Sequence, residues 1–146
     1  MAEHHFTKAE KAKITASIRQ AELNTSGEIR VHLEKHCKSD NVLDRAAHVF
    51  ADLGMQKTDA RNGVLVYMAV EDHKFAIIGD AGINAKVEDD FWDITKEKML
   101  KHFKAGELTQ GLVEGVLCAG ERLKEFFPYQ SDDRNELSDD ISFGKD

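Results

Sequence analysis

The 146-residue sequence is poor in features that mark exported, membrane and nucleic-acid-binding proteins. It holds two cysteines, Cys37 and Cys118, too few for the disulfide framework of a small secreted protein. The longest apolar run, Val64–Val70, has strand length and falls far short of the roughly 18–20 residues that span a bilayer. The N-terminal residues contain no apolar signal region. With 20 basic against 27 acidic residues, the net charge of −7 disfavours binding to phosphates. We therefore expect a reduced, cytoplasmic protein that binds neither nucleic acid nor membrane.

Common catalytic signatures are also missing. The sequence has no GxGxxG loop, no P-loop, no GxSxG nucleophile and no zinc-type CxxC pair. Cys37 lacks the arginine-bearing loop of cysteine phosphatases, and Cys118 lies among core positions of a predicted helix. We interpret both thiols as inert. No nucleophile–base pair stands out, which argues against catalysis, although a metal-bound hydroxide could replace both groups.

The length predicts one domain, and the composition predicts a tail after it. We assign residues 1–127 to the domain and residues 128–146 to an acidic tail that begins at the one proline, Pro128. From residue 129 onward there are six acidic and two basic residues, with few apolar ones. This composition predicts a solvated, disordered appendage, with binding to a protein partner as an alternative. We expect the protein to be a monomer.

The hydrophobic pattern predicts helices and strands in an α/β arrangement. Thr7 and Glu10 form a capping-box pattern at the start of the first helix. Strict alternation over residues 28–34 predicts a strand with one dry face, at an edge or with its polar side open to water. The predicted elements are a helix to Leu23, the strand 28–34, a helix capped by Ser39–Asp40 and ending near Leu53, strands 63–70 and 75–79, and helices from about Glu88 and Glu107, the last ending before Pro128.

This order predicts an α/β/α sandwich, in three layers, with a small mixed sheet. A helix joins the first two strands, so they are expected to be parallel, with a right-handed crossover. The second and third strands form a hairpin. The start of the first two strands and the end of the third then lie at one end of the sheet, which gathers acidic residues around Arg61. The residues expected there are Glu28, Asp59, Asn62, Asp80, Asp89 and Asp90.

Five carboxylates near one arginine need a counter-charge. Arg61 could form a structural fork with Asp80 or Asp59. Alternatively, a divalent cation could lie among the acids, and oxygen ligands favour Ca²⁺ or Mg²⁺. A weaker pattern is the alternation of His32, Glu34 and His36 on one strand face, which is typical of an exposed face and less often of metal ligands.

Four segments resemble the TPM domain family. They are Ser-Gly-Glu-Ile-Arg-Val at 26–31, Arg-Asn-Gly-Val-Leu-Val at 61–66, Phe-Ala-Ile-Ile-Gly-Asp-Ala-Gly-Ile at 75–83 and Phe-x-x-Gly-x-x-x-x-Gly-Leu at 103–112. The resemblance covers about residues 8–127 and is closest to the short, stand-alone bacterial branch. It implies an α/β/α sandwich and a divalent-cation site at the sheet end. For a plant thylakoid relative it implies acid phosphatase activity in photosystem II repair, and other relatives resemble receptor modulators.

The chain departs from many family members after the third strand. They read Tyr-Gly-x-Glu-Gly, whereas this chain reads Gly79-Asp80-Ala81-Gly82, so the acid is displaced. Asn62 and Gly63 match directly.

Two functional hypotheses follow from the residues and the resemblance. The first is a module that binds Ca²⁺ or Mg²⁺ through Asp80, Asp59, Glu28, Asn62, Asp89 and Asp90, and that acts through partners. The second is a metal-dependent phosphomonoesterase on a phosphorylated substrate, in which the cation would polarise a phosphoryl oxygen and activate water. There Asp80 would be the central ligand, Arg61 a phosphate clamp, and Asp59 or Asp89 a second ligand or base. Protein interaction through the acidic tail is a third reading.

Overall fold

The computed structural model describes residues 2–129 and 137–144 of the chain. A short 3-10 helix, Ala2–His5, precedes the α-helices and strands of this described part. These are α1 (Lys8–Glu22), β1 (Glu28–Glu34), α2 (Val42–Asp52), β2 (Gly63–Ala69), β3 (Lys74–Gly79), α3 (Ala81–Asn84), α4 (Asp93–Lys104), α5 (Leu108–Leu123) and β4 (Ser142–Phe143).

The sheet is mixed, with strand order β3-β2-β1-β4. β1 and β2 are parallel, with Glu28 opposite Gly63 and Glu34 opposite Ala69. β2 and β3 are antiparallel, with Val64 opposite Gly79. The predicted crossover pair and the predicted hairpin are therefore both confirmed. β2 lies between two full-length neighbours, as its continuously apolar sequence indicated.

Helices cover both faces of the sheet, which confirms the three-layer α/β/α architecture. On one face, Val31 and Val66 pack with residues of α1, α4 and α5 such as Ile18 and Val116. On the other face, Leu65, Tyr67, Ala69 and Ala76 pack with Ala46, Val49 and Phe50 of α2. No helix in the described ranges is both long and apolar enough to cross a bilayer.

The helix starts agree only partly with the sequence. The capping box is confirmed, because Thr7 Oγ1 accepts from the Glu10 amide at 3.1 Å and the Glu10 carboxylate accepts from the Thr7 amide at 2.9 Å. α2 is capped by Asn41 rather than by Ser39–Asp40, since Asn41 Oδ1 accepts from the Leu43 and Asp44 amides. The predicted helix from Glu88 begins instead at Asp93.

The segment after Pro128 differs from the expected solvated tail. Residues 130–136 and 145–146 lie outside the described residues, but Ser142 and Phe143 form β4 opposite His32 and Leu33. Ile141 and Phe143 are partly buried against the core. Leu137 packs against the core on the other face of the sheet, so three apolar side chains and the edge of β1 seat a segment whose overall composition is acidic.

Candidate functional site

The strand register brings three predicted site residues to one end of the sheet. Glu28 pairs with Gly63, directly after Asn62. The Asp80 amide donates to the Gly63 carbonyl at 2.9 Å. All three side chains belong to buried residues, with exposures of 3% for Glu28, 3% for Asn62 and 6% for Asp80. The convergence expected from chain direction is thus present.

Asp80 and Arg61 form the fork, an ion pair with two hydrogen bonds, which the sequence predicted as one source of counter-charge. Arg61 Nε donates to Asp80 Oδ2 at 2.7 Å, and Nη2 donates to Oδ1 at 2.8 Å. Oδ1 also accepts from the Ala81 amide at 2.7 Å, which makes Asp80 the N-cap of α3. The arginine side chain is 49% exposed, whereas that of Asp80 is 6% exposed. The ion pair therefore joins a buried carboxylate to a guanidinium that solvent reaches.

The backbone around this fork is tightly built. Arg61 has φ of 50°, a left-handed conformation that costs energy for a residue with a side chain. Its carbonyl accepts from the Gly82 amide at 2.8 Å. A Cβ on Gly82 would lie 2.1 Å from the Ala60 carbonyl oxygen, so only glycine allows this approach. The loop before β2 and the start of α3 are thus locked together around the Arg61–Asp80 pair.

Glu28 and Asn62 face the same end but have other partners. Glu28 Oε1 accepts from the Leu137 amide at 2.7 Å. The Asn62 side-chain amide donates to the Ser26 carbonyl at 3.1 Å, and the Asn62 carbonyl accepts from the Glu28 amide at 3.2 Å. These contacts tie the starts of β1 and β2 together and seat residue 137 beside them.

The remaining predicted ligands, Asp59, Asp89 and Asp90, lie on the surface. Asp59 is exposed in the loop before β2, and Asp89 and Asp90 are exposed in the turns before α4. Across residues 2–129 and 137–144, no three His, Cys, Asp or Glu side chains come close enough together to hold a metal ion. The acidic residues at this end therefore do not form a ready-made ligand set in this arrangement.

A second polar cluster lies on the other half of β1, between the sheet and α2. Glu34 is fully buried and accepts from Arg45 Nε at 3.1 Å, from Arg45 Nη2, and from the Tyr67 hydroxyl at 2.5 Å. His32 Nε2 lies 3.2 Å from Glu34 Oε1, and its ring stacks on Tyr67 at 6.0 Å. The expectation that this polar strand face is open to water was wrong, because Arg45 of α2 neutralises the buried carboxylate.

The environment of this cluster fixes its charges. Burial alone raises the pKa of Glu34, but the hydrogen bonds from Arg45, Tyr67 and His32 outweigh it and lower the pKa to about 2. Burial lowers the pKa of His32, and together with the charges of Arg45 and Arg30 it outweighs the hydrogen bond and the charge of Glu34, which raise it. Burial and the neighbouring carboxylate raise the pKa of Tyr67. At neutral pH the cluster therefore contains an ionised Glu34–Arg45 pair beside a neutral imidazole and phenol.

His32 also connects this cluster to β4. Its Nδ1 lies 2.8 Å from Ser142 Oγ, so hydroxyl, imidazole and carboxylate form a chain. A triad of this order needs a carboxylate to stabilise the imidazolium, but here the guanidinium of Arg45 already neutralises Glu34. This series of hydrogen-bonded side chains therefore has a structural role, because it holds β4 in register with β1. The adjacent cleft, about 380 Å³, is lined by His32, Glu34, Lys38, Arg45, Val49, Asp52, Leu53 and residues 142–144.

Sequence reasoning missed Arg45 and Ser142 because their partners are distant along the chain. Glu34 and Arg45 are 11 residues apart, and His32 and Ser142 are 110 residues apart. The signal that was available was the alternation that placed His32 and Glu34 on one face of β1.

Comparison with known proteins identifies the family. The model of the TPM domain matches residues 2–122. The structure is similar to the NMR structure of the BA42 protein from the psychrophilic bacterium Bizionia argentinensis, with a TM-score of 0.89 and 51% identity over 95% of each chain. No curated protein matches the chain.

Two more distant solved structures share the fold. The N-terminal domain of a P. gingivalis protein has a TM-score of 0.68 at 19% identity, with 84% of this chain and 78% of that chain covered. The N-terminal domain of cg2496 from Corynebacterium glutamicum has a TM-score of 0.64 at 11% identity, with 97% and 81% covered. At such identities the likeness concerns the fold alone. Because the family model spans residues 2–122, which is most of the chain, the chain belongs to the TPM domain family.

Proposed function

We propose that this TPM domain binds a hard divalent cation, Ca²⁺ or Mg²⁺, at the Asp80 end of the sheet, in competition with Arg61. The observation that carries the proposal is a buried carboxylate whose charge is balanced by a half-exposed guanidinium. Carboxylate, amide and carbonyl oxygens are the donors that Ca²⁺ and Mg²⁺ take. Further donors are proposed from the residues that share this end or flank it, namely Asp59, Glu28, Asn62, Asp89 and Asp90.

Competition with Arg61 explains why the described residues form no complete set of metal ligands around Asp80. Both Asp80 oxygens accept from Arg61, and one also accepts from the Ala81 amide. A cation that takes Asp80 has to displace the guanidinium, which can move into solvent because it is half exposed. Exposed acids in the loop before β2 and in the turns before α4, such as Asp59 and Asp89, would then complete the coordination. Strained backbone conformations cluster at functional sites, so the positive φ of Arg61 supports a role of this loop in binding the cation.

A phosphatase function would use the same corner but has less support. The Arg61 N–H groups that would clamp a phosphate donate hydrogen bonds to the Asp80 carboxylate. Phosphate binding therefore needs the same release of Arg61 that cation binding needs. We treat hydrolysis as an outcome to be measured in the cation experiment.

The experiment follows cation binding by isothermal titration and by thermal unfolding with Ca²⁺ and Mg²⁺. A ligand of the folded state at 100 times its Kd adds about 2.7 kcal/mol of stability, or roughly 8 °C at about 3 °C per kcal/mol. Asp80→Asn should abolish the binding. The matched control is Asp44→Asn, which removes one exposed carboxylate from the first turn of α2 and should leave the binding unchanged.

Arg61→Gln separates the possible roles of the fork. If Arg61 competes with the cation, the variant binds the cation more tightly than the wild type while its cation-free form melts at a lower temperature. Weaker or unchanged cation binding by Arg61→Gln would contradict the competition. Hydrolysis of p-nitrophenyl phosphate that requires the cation and is lost in Asp80→Asn would establish the enzyme reading, and binding without hydrolysis would establish a binding module.

A further inference from the structure

The edge of β1 that faces away from β2 is lined by groups that hold one extended segment. The Gly144 amide donates to the Leu33 carbonyl at 2.9 Å, and Ser142 and Phe143 pair in parallel with His32 and Leu33. An unpaired strand edge is a template for another extended chain. In this protein the residues that fill it come from the C-terminal segment, residues 137–144.

Side chains along β1 recognise this segment at successive positions. At its start, Glu28 accepts from the Leu137 amide at 2.7 Å. Further along, Arg30 Nη2 lies 3.4 Å from the Asp140 carbonyl oxygen, and His32 Nδ1 lies 2.8 Å from Ser142 Oγ. Between these polar contacts, Ile141 and Phe143 pack against the core. The edge therefore selects a parallel segment with apolar side chains two residues apart and a hydroxyl between them.

The attachment of residues 137–144 to the rest of the domain resembles that of a separately bound peptide. β4 contains two residues, fewer than the roughly 3–10 of most strands. The seven residues between Tyr129 and Leu137, residues 130–136, are all polar in the sequence. Arg19, whose side chain is 66% exposed, lies 3.6 Å from Asp139. The attachment thus consists of a few polar contacts, the short β4 pairing and three partly buried side chains, those of Leu137, Ile141 and Phe143.

We propose that the β1 edge is a strand-docking groove that accepts the C-terminal segment of a second copy of this chain in exchange for its own. Every copy carries the segment that fits the groove, so a second copy supplies the complementary partner without any further recognition. Exchange of an identical element is a low-cost route to dimers. Within one chain, the connection keeps the segment at an effective concentration of about millimolar, so exchange becomes populated only as the protein approaches that concentration.

The test separates the segment from the chain after folding. A protease site is placed within residues 130–136 of the full-length protein and cut, and a fluorescein-labelled peptide with the sequence of residues 137–146 is added. We expect saturable binding by fluorescence anisotropy, at least tenfold tighter after the cut than before it, because the tethered segment no longer competes. In sedimentation, the uncut protein should form dimers as it approaches millimolar concentration.

Two control peptides test the recognition pattern. Replacement of Ile141 and Phe143 by serine should abolish binding, and Ser142→Ala should weaken it through loss of the His32 contact. If the cut segment stays bound and the labelled peptide never enters, the segment is a permanent strand and the proposal is wrong. Loss of the segment followed by unfolding, or a folded cut protein that does not bind the peptide, would also overturn it. A protein that stays monomeric at millimolar concentration while its cut form binds peptide would overturn the exchange between copies.

Discussion

Removal of Arg45 should cost a large part of the stability of the protein. The change Arg45→Met keeps a long side chain on α2 but leaves the carboxylate of Glu34, which is fully buried, without its main partner. Breaking a buried ion pair from one side costs about 3–5 kcal/mol, because an uncompensated charge remains. Domains of this size are stable by about 5–15 kcal/mol, so the variant should fold but unfold at much lower denaturant concentration.

The pKa of Glu34 gives an independent value for the free energy that its partners contribute to folding. A value of about 2 in the folded chain, against 4.5 for an ordinary glutamate, corresponds to about 3 kcal/mol. Because the folded pKa is depressed, this stability is present above pH 4.5 and is lost as the pH falls toward 2. In Arg45→Met, Glu34 can take up a proton at higher pH. The difference between the variant and the wild type should therefore shrink as the pH is lowered from 7 to 4.

The assay is urea unfolding followed by the fluorescence of Trp92, the one tryptophan, which is 8% exposed. Lys35→Met is the matched control, because Lys35 pairs with Glu71 on the surface at 3.6 Å and such pairs contribute about 0–1 kcal/mol. The double variant Glu34→Gln/Arg45→Met should recover at least half of the loss, since it leaves no buried charge. A cost for Arg45→Met below about 1 kcal/mol at pH 7, or a cost that does not depend on pH, would refute this reasoning.

Two further predictions concern Glu22 and Gly82. Burial and the hydrogen bond with Asp139 raise the pKa of Glu22 to about 9, so the folded chain favours the protonated form and loses stability as the pH rises from 4.5 to 9. Glu22→Gln should raise the free energy of unfolding by about 1–3 kcal/mol at pH 7 and flatten its decline toward pH 9; equal pH profiles in urea unfolding would contradict this. Gly82→Ala places a Cβ 2.1 Å from the Ala60 carbonyl oxygen, so it should destabilise the fold by more than about 2 kcal/mol and shift the Arg61 side-chain NMR signal. The control Gly106→Ala meets no atom within 4 Å, and although the φ of 79° at Gly106 makes an alanine there cost some stability, it should leave that signal in place.

The sheet could be predicted because its strands are marked by local pattern. Alternation of Ile29, Val31 and Leu33 gives the dry face of β1, and the continuous apolar run from Gly63 gives the central position of β2. The topology follows from the order of elements, since a helix between two strands makes them parallel. The convergence of Glu28, Asn62 and Asp80 follows from that topology alone.

What could not be predicted depends on contacts between distant segments. The acidic composition around Asp139 indicated a solvated tail, whereas the open edge of β1 and the packing of Ile141 and Phe143 make part of it a strand. Likewise, alternation could show that Glu34 is polar and on one face, but not that Arg45 would cover it. At the sheet end, the sequence left the fork and the cation as alternatives, and the structure forms the fork between Arg61 and Asp80.

The most direct test of cation binding at the Asp80 end is the NMR signal of the Arg61 Nε–H group during a Ca²⁺ titration. In the cation-free protein this group donates to Asp80 at 2.7 Å, and the adjacent Ala81 amide donates to the same carboxylate. We expect both signals to shift together and to saturate with Ca²⁺, as Arg61 leaves the carboxylate. If both signals remain in place while Ca²⁺ reaches 10 mM, roughly a thousandfold above the upper end of sensor-type Kd values, the proposed site does not exist.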